Sequence, residues 1–283
     1  MKKTLKNILF IRRIWDFYMA TKYFNSKYIK ILLWSFKSKE DTNFTYELSE
    51  KNLMYLACTV ASIFKLETKV CLHFIKEINN DIKLKDFIEQ EIKKSKFKHI
   101  TDNKVLFSRR IGWYLFVRLL KPKVVIETGI DKGLGAMVIC QALKKNNNEG
   151  YHGRYYGTDI NPDAGFLFQG ELTTFGEILY GDSIETLNQL DVKIDLFIND
   201  SDHSENYEYK EYQTIKNKLS PQGFILGDNA HCSDKLALFS IENNRNFLFF
   251  KEEPKNHWYP GGGIGISFPK ELPILEKSFS YPH

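Results

Sequence analysis

Neither glycine nor proline occurs in the first 111 residues of this chain; the first of either is Gly112. The two strongest punctuators of turns are thus missing from that stretch, which excludes a turn-rich β domain there and leaves helices. Cysteine is also sparse. Cys58, Cys71, Cys140 and Cys232 are scattered, with no Cys-x-x-Cys pair. A thiolate metal site is therefore excluded, and buried free thiols in a reducing cytosol are expected. No run approaches the ~20 apolar residues of a membrane span. The best N-terminal apolar run, Ile8–Ile11, is closed by Arg12 and Arg13 and followed by no small-residue cleavage site, so no secretory leader is read and a cytoplasmic location is expected. Internal repeats and low-complexity tracts are absent as well.

What is present is an ordinary globular composition, 43% hydrophobic and 27% charged among 283 residues, which excludes disorder and fibrous repeats. The net charge of +5 is unevenly placed. Residues 1–40 hold ten Lys and Arg against Asp16 and Glu40, a net of +8, so the other 243 residues carry −3. A chain-wide nucleic-acid surface is not expected. The first forty residues are also aromatic, and spacings such as Ile11, Trp15, Tyr18 and Ile29, Leu32, Leu33, Phe36 predict amphipathic helices. Such a helix packs on the core with a solvated basic face, or docks on an anionic membrane surface at the inner face of a membrane. Residues 47–98 read as helical too. The chain is thus divided into a basic helical region, 1–100, and a second domain, 101–283.

After about residue 120 short apolar runs alternate with helix-compatible stretches. The runs are Val124–Glu127, Tyr155–Thr158, Glu177–Tyr180, Leu196–Ile198, Phe224–Leu226, Phe247–Phe250 and Ile264–Phe268. Apolar strands separated by helices predict βαβ units and a parallel sheet buried on both faces. Only a Pro/Gly-rich loop separates the last two runs, too short for a parallel crossover, so they are expected to form an antiparallel hairpin. The fold class is α/β: a Rossmann-like, doubly wound, mostly parallel sheet with a C-terminal antiparallel strand, preceded by helices.

The chemistry gathers at the predicted strand ends. The first strand runs into Glu127-Thr128-Gly129-Ile130-Asp131-Lys132-Gly133-Leu134-Gly135, a glycine turn that lets backbone approach a ligand or simply packs strand on helix. The second ends at Asp159, placed to accept both ribose hydroxyls of a nucleotide-like cofactor. The third ends at Asp182-Ser183, where an adenine edge can be recognised. The fourth ends in Asp200-Ser201-Asp202-His203 and the fifth in Asp228-Asn229-Ala230-His231. Two carboxylates and an amide oxygen suit a hard cation such as Mg²⁺; Asp and Asn there are also good helix caps. Asp131 and Lys132 either meet the ligand or are solvated loop charges, and Trp258 and Tyr259, in the loop Glu252–Gly265, either form an acceptor platform or anchor the loop.

From about residue 105 onward the chain resembles class I S-adenosylmethionine-dependent methyltransferases. Glu127-x-Gly129-x-x-x-Gly133 resembles their first motif, Asp159 the ribose-binding acid and Asp182-Ser183 the adenine-side motif. Asp131 stands where the commoner motif has its middle glycine, a departure shared with cation-dependent catechol and sugar O-methyltransferases. Asp200-Ser201-Asp202 and Asp228-Asn229 match the positions those sugar enzymes use. The resemblance implies S-adenosylmethionine bound by Glu127, Thr128, Gly129, Gly133, Asp159, Asp182, Ser183 and Asp200. It also implies Mg²⁺ or another divalent cation on Asp200, Asp228 and Asn229, Asp202 as base and a hydroxyl of a sugar, glycan or other small molecule as acceptor. His203 is the second choice as base, since imidazole titrates nearer neutrality; His231 and His257 rank lower. No Asn/Asp-Pro-Pro-aromatic motif follows the fourth strand, which argues against methylation of base amino groups.

Two rival readings stand beside this one. Thr128-Gly129-x-x-x-Gly133-x-Gly135 with Tyr212-x-x-x-Lys216 resembles short-chain NAD(P)-dependent oxidoreductases, but leaves the four strand-end acids and amides unexplained. A non-catalytic cofactor-binding subunit tethered by its N-terminal helices is the other. A homo-oligomer is compatible with either arrangement.

Overall fold

A computed structural model describes residues 9–40 and 45–272. Among the described residues, the glycine- and proline-free stretch is mostly helical, as expected, with an irregular run over residues 95–109. A long helix α1 (Leu9–Ser35) is followed by α2 (Glu50–Phe64), α3 (Thr68–Asn79) and α4 (Ile82–Lys94). Ser49 caps α2 by accepting from Asn52 N, and Asp81 caps α4 by accepting from Leu84 N. Each of these three shorter helices buries one stripe at helical spacing, such as Leu56, Val60, Phe64 in α2 and Leu84, Ile88, Ile92 in α4. Helix α5 (Arg110–Leu120) is buried on every side.

All seven expected strands form. They are β2 (Val124–Thr128), β3 (Arg154–Asp159), β4 (Gly176–Tyr180), β5 (Ile194–Asn199), β6 (Leu219–Gly227), β7 (Arg245–Lys251) and β9 (Gly263–Pro269), joined in one sheet of order β4-β3-β2-β5-β6-β9-β7. The first five are parallel; β9 runs antiparallel between β6 and β7. The crossovers carry α6 (Leu134–Asn148), α7 (Ser183–Gln189), α8 (Glu205–Ile215) and α9 (Lys235–Glu242). One crossover departs from expectation: β3 passes to β4 through turns and a short 3₁₀ segment, Gly170–Phe175, rather than an α-helix. Pro162 opens this segment, and Gly165 and Gly170 there have φ of 77° and 72°, so helical continuity is broken.

The alternation of strand side chains divides the core. Val125, Leu196, Ile198, Phe224 and Leu226 face one layer, shared with α2 to α6. Ile126, Phe197 and Ile225 face the other, against α7 to α9. Helices α2 to α4 therefore share one continuous core with the sheet. Helix α1 differs: Phe10, Ile14, Trp15, Phe17, Tyr28, Ile29 and Leu32 are exposed along it. Its C-terminal end meets the loop after β7, where Trp34 lies edge-on to Trp258, ring centroids 5.4 Å apart. A two-residue ladder, β1 (Glu47–Leu48) with β8 (Pro254–Lys255), ties the same loop down.

Candidate active site

The carboxyl ends of β2, β3, β4 and β5 open on a cavity of about 430 Å³, within the ordinary range for small-molecule sites. Strand order reverses at β2, the first strand of this sheet, which has β3 on one side and β5 on the other, and such switch points are where open α/β sheets bind ligands. Gly129, Asp131, Asp159, Asp182, Ser183, Asp200 and Asp202 all reach its wall. Gly129 has φ of 78°, and a Cβ there would lie 2.1 Å from the Asp200 carbonyl oxygen. Only glycine lets the β2 and β5 turns close this tightly.

Asp159 does double duty. Its Oδ2 accepts from the backbone N–H groups of Ile130 and Asp131, each at 3.0 Å, and its Oδ1 from Asn161 N at 2.8 Å. It thereby holds the glycine turn in shape while facing the cavity. Asp182 caps α7 through Oδ1, accepting from Ile184 N and Glu185 N, and its Oδ2 accepts from Tyr207 Oη at 2.9 Å. Tyr207 also lines the cavity, a wall residue that no sequence motif marked.

Three of the expected cofactor residues act from beneath rather than from the wall. Glu127 is buried against Gly135, where a Cβ would lie 2.0 Å from its Oε1, and accepts from Tyr155 Oη at 2.5 Å. Burial pushes its carboxyl up to about 8 against that hydrogen bond. Thr128 is buried and donates to Glu211 Oε2 at 3.3 Å. Gly133 packs on Gly165, its φ of 92° starting α6. The hub of this layer is Glu211 on α8. It accepts from Thr128, Ser183, Asn199 and Ser201, and so joins the ends of β2, β4 and β5. Burial raises its carboxyl to about 7 despite the bonds from Ser183, Ser201 and Thr128.

The side chains at the β5 and β6 ends converge differently from expectation. Ligand atoms of Asp200, His203 and Asp228 lie within 4.8 Å of one another, a spacing that could hold a metal. Asn229 makes its contact with His203, Nδ2 to Nε2 at 3.2 Å. A guanidinium lies at the two carboxylates. Arg109, immediately before α5, has Nη2 at 3.0 Å from Asp200 Oδ2 and Nε at 2.7 Å from Asp228 Oδ1. The second contact is an ion pair whose geometry falls short of a hydrogen bond, and both Asp228 oxygens are buried without one. One cation cannot neutralise two buried carboxylates. Burial, opposed by Arg109 and aided by Asp228, holds Asp200 well above the usual carboxylate range. Despite burial, Asp200, Asp228 and Glu252 hold Arg109 firmly protonated. Two carboxylates have the right donor chemistry for a hard cation, and orphaned oxygens favour one. With Arg109 2.7 Å from one of them, however, the set does not fit a metal ion.

Other expected groups fall as follows. Asp202 is exposed at the cavity rim, where its carboxylate accepts from Ser204 N at 2.9 Å and Ser204 Oγ at 3.1 Å, ahead of α8. His203 is half-buried, 3.9 Å from Asp200 Oδ1. Lys132 donates to Ile100 O rather than reaching the cavity wall. His257, Trp258 and Tyr259 pack as ring neighbours with Trp34 and Tyr46, anchoring the loop. Tyr212 is buried and donates to Glu208 at 2.6 Å, so the phenol required by the oxidoreductase reading never reaches the site. Arg110 is 3% exposed, with Nε and Nη1 unbonded, in a small cavity that shares Asp131 with the main one. Arg109 and Arg110 carry a signal the sequence did offer: two charges at the N-terminus of a buried helix, directly before the uncharged run Ile111–Val117.

Residues 126–230, which span this site, match the methyltransferase domain family. No curated protein matches the chain. Among solved structures, an O-methyltransferase from Bacillus cereus in complex with SAH superposes with a TM-score of 0.53 at 13% identity, covering 65% of this chain and 91% of that one. TomG, an O-methyltransferase from Streptomyces achromogenes involved in tomaymycin synthesis, solved with SAM, superposes with a TM-score of 0.53 at 12% identity, covering 71% and 96%. The two likenesses establish a shared fold. The sheet is thus built on the fold of these O-methyltransferases, and the matched residues 126–230 carry the ends of β2 to β6.

Proposed function

We propose that this protein transfers a methyl group from S-adenosylmethionine to a hydroxyl oxygen of a sugar, glycan or other small molecule. The observation that carries the reading is the cavity across the ends of β2 to β5, with Asp159 and Asp182 on consecutive strand ends. Its chemistry suits the cofactor along its length. Asp159 offers carboxylate oxygens to the ribose, and Asp182 with Tyr207 borders the adenine side. Arg110, which lines the adjoining small cavity with Nε and Nη1 unbonded, is the group suited to the methionine carboxylate. S-adenosylmethionine supplies an electrophilic methyl group.

Bound there, S-adenosylmethionine would open its methyl carbon to the acceptor hydroxyl oxygen, with the C–S bonding pair leaving to sulfur as the C–O bond forms. Holding the two reactants in line supplies much of the rate. The hydroxyl proton passes to Asp202, which lines the cavity. His203 is a second reading of the base, favoured by its place beside Asp200 and Asn229. No step runs through a divalent ion.

Helix α1, exposed, apolar and carrying Arg12, Arg13, Lys22 and Lys30, supports attachment to an anionic membrane surface. No helix among the described residues is long and apolar enough to cross a membrane. The reading is tested with isotope-labelled S-adenosylmethionine and a fractionated lysate, tracing which fraction gains methyl. Failure of the protein to bind S-adenosylmethionine by calorimetry would sink it.

A further inference from the structure

The acidic pair at the ends of β5 and β6 is built around Arg109. Asp228 is 1% exposed and Arg109 8%, so neither is solvated enough for the pairing to be a surface accident. The guanidinium is held on several sides. Its backbone is set by the start of α5, after Ser108, which is locked to Tyr46 by hydrogen bonds to both N–H and C=O of that residue. Its Cζ lies 5.6 Å from the centroid of the Trp113 ring, a cation–π distance. Behind it stands a third buried carboxyl, Glu252, which accepts from Tyr46 Oη at 2.5 Å. An arginine cannot leave by deprotonating, and withdrawing it would strand buried carboxylates without a countercharge, a strongly unfavourable state. A divalent cation would need the oxygens that face this group.

We propose that Arg109 is the resident cation of the Asp200–Asp228 pair, and that the protein consequently binds no divalent metal ion there. The disagreement with the metal set implied by the sequence resemblance thus has a structural source: a side chain from outside the strand-end motifs supplies the positive charge. Arg109 is a positioning residue in this account. It fixes the two carboxylates and, through Asp200, the turn against which Gly129 packs.

The inference concerns the site of the proposed methyl transfer but does not need that activity, because its test reads metal binding directly. Mn²⁺ is titrated into the full-length protein and followed by electron paramagnetic resonance of the free ion. The wild type is expected to show no saturable site that depends on Asp228. Arg109→Ala is expected to gain one Mn²⁺ site per chain, and Arg109→Ala combined with Asp228→Asn to lose it. Arg109→Lys, which keeps a charge on a shorter fork-less side chain, is expected to bind Mn²⁺ no better than wild type. A saturable Mn²⁺ site in the wild type, abolished by Asp228→Asn, overturns the proposal. So does a folded Arg109→Ala that gains nothing. Should Arg109→Ala fail to fold, as judged by its circular dichroism, the wild-type and Asp228→Asn titrations decide alone. Loss of S-adenosylmethionine binding would count against the proposed function and leave this result standing.

Discussion

Ser201 Oγ donates a 2.7 Å hydrogen bond to Glu211 Oε2, joining a cavity-wall residue after β5 to a buried carboxyl on α8. Because the same carboxyl also receives Thr128 and Ser183, the wall of the cavity and the stability of the sheet edge respond to its protonation together.

Its folded-state value of about 7 lies above the ordinary 4.5. A raised value means the neutral form is favoured in the fold. The contribution is therefore fully present below pH about 4.5 and is lost as pH rises through about 7. At about 1.4 kcal/mol per unit the loss is on the order of 3 kcal/mol. Glu127, at about 8, has the same sign. The melting temperature is expected to fall between pH 5 and pH 8, and Glu211→Gln to flatten part of that fall. Calorimetric scans of both proteins across this range check it; parallel curves would refute the assignment to Glu211.

Removing the Asp159 charge is expected to weaken S-adenosylmethionine binding. One charge-assisted hydrogen bond is worth about 1.5–3 kcal/mol, so Asp159→Asn should raise Kd about tenfold to a hundredfold. Because Asp159 also braces Ile130 and Asp131, a small loss of melting temperature should accompany it. Isothermal titration measures the first and a thermal scan the second. Unchanged affinity would take Asp159 out of the ribose role.

Arg110→Met separates the two ends of the cofactor. Affinity for S-adenosylmethionine should drop about tenfold or more, the scale of a lost hydrogen bond to a charged group. Affinity for adenosine, which lacks the methionine carboxylate, should hold. Equal losses for both ligands would assign Arg110 to packing alone.

The base is identified by two variants measured side by side. A positioned base contributes roughly 10²–10⁴-fold, so Asp202→Asn should cut kcat by that order while Kd for S-adenosylmethionine stays near wild type. If the larger loss falls on His203→Asn, the second reading of the base replaces the first.

Charge reversal on α1 tests the membrane reading. Each basic side chain near an anionic surface is worth about 1 kcal/mol. Replacing Arg12, Arg13, Lys22 and Lys30 with Glu should abolish sedimentation with phosphatidylserine vesicles, and raised salt should weaken the wild type likewise. Salt-insensitive binding, or none by the wild type, would leave the charges as a solvated helix face.

The sequence by itself determined the sheet and the edge on which its cavity opens. Strands buried on both faces must be apolar runs, and loops that close on a ligand must carry glycine and short polar residues, so both leave a local mark. Seven runs from Val124 to Phe268 became seven strands, and Gly129, Asp159, Asp182 and Asp200 met at one cavity. What only the tertiary structure decided were pairings between residues far apart in the chain. Arg109 finds Asp200 91 positions away, Glu211 gathers Thr128 and Ser183 from two strands, and Tyr207 reaches Asp182 from a neighbouring helix. Hydrogen bonds and ion pairs depend on where side-chain tips converge, and no periodicity encodes that. The expected metal set met the same limit: its carboxylates were visible as a motif, and the arginine that answers their charge came from before the first strand of the sheet.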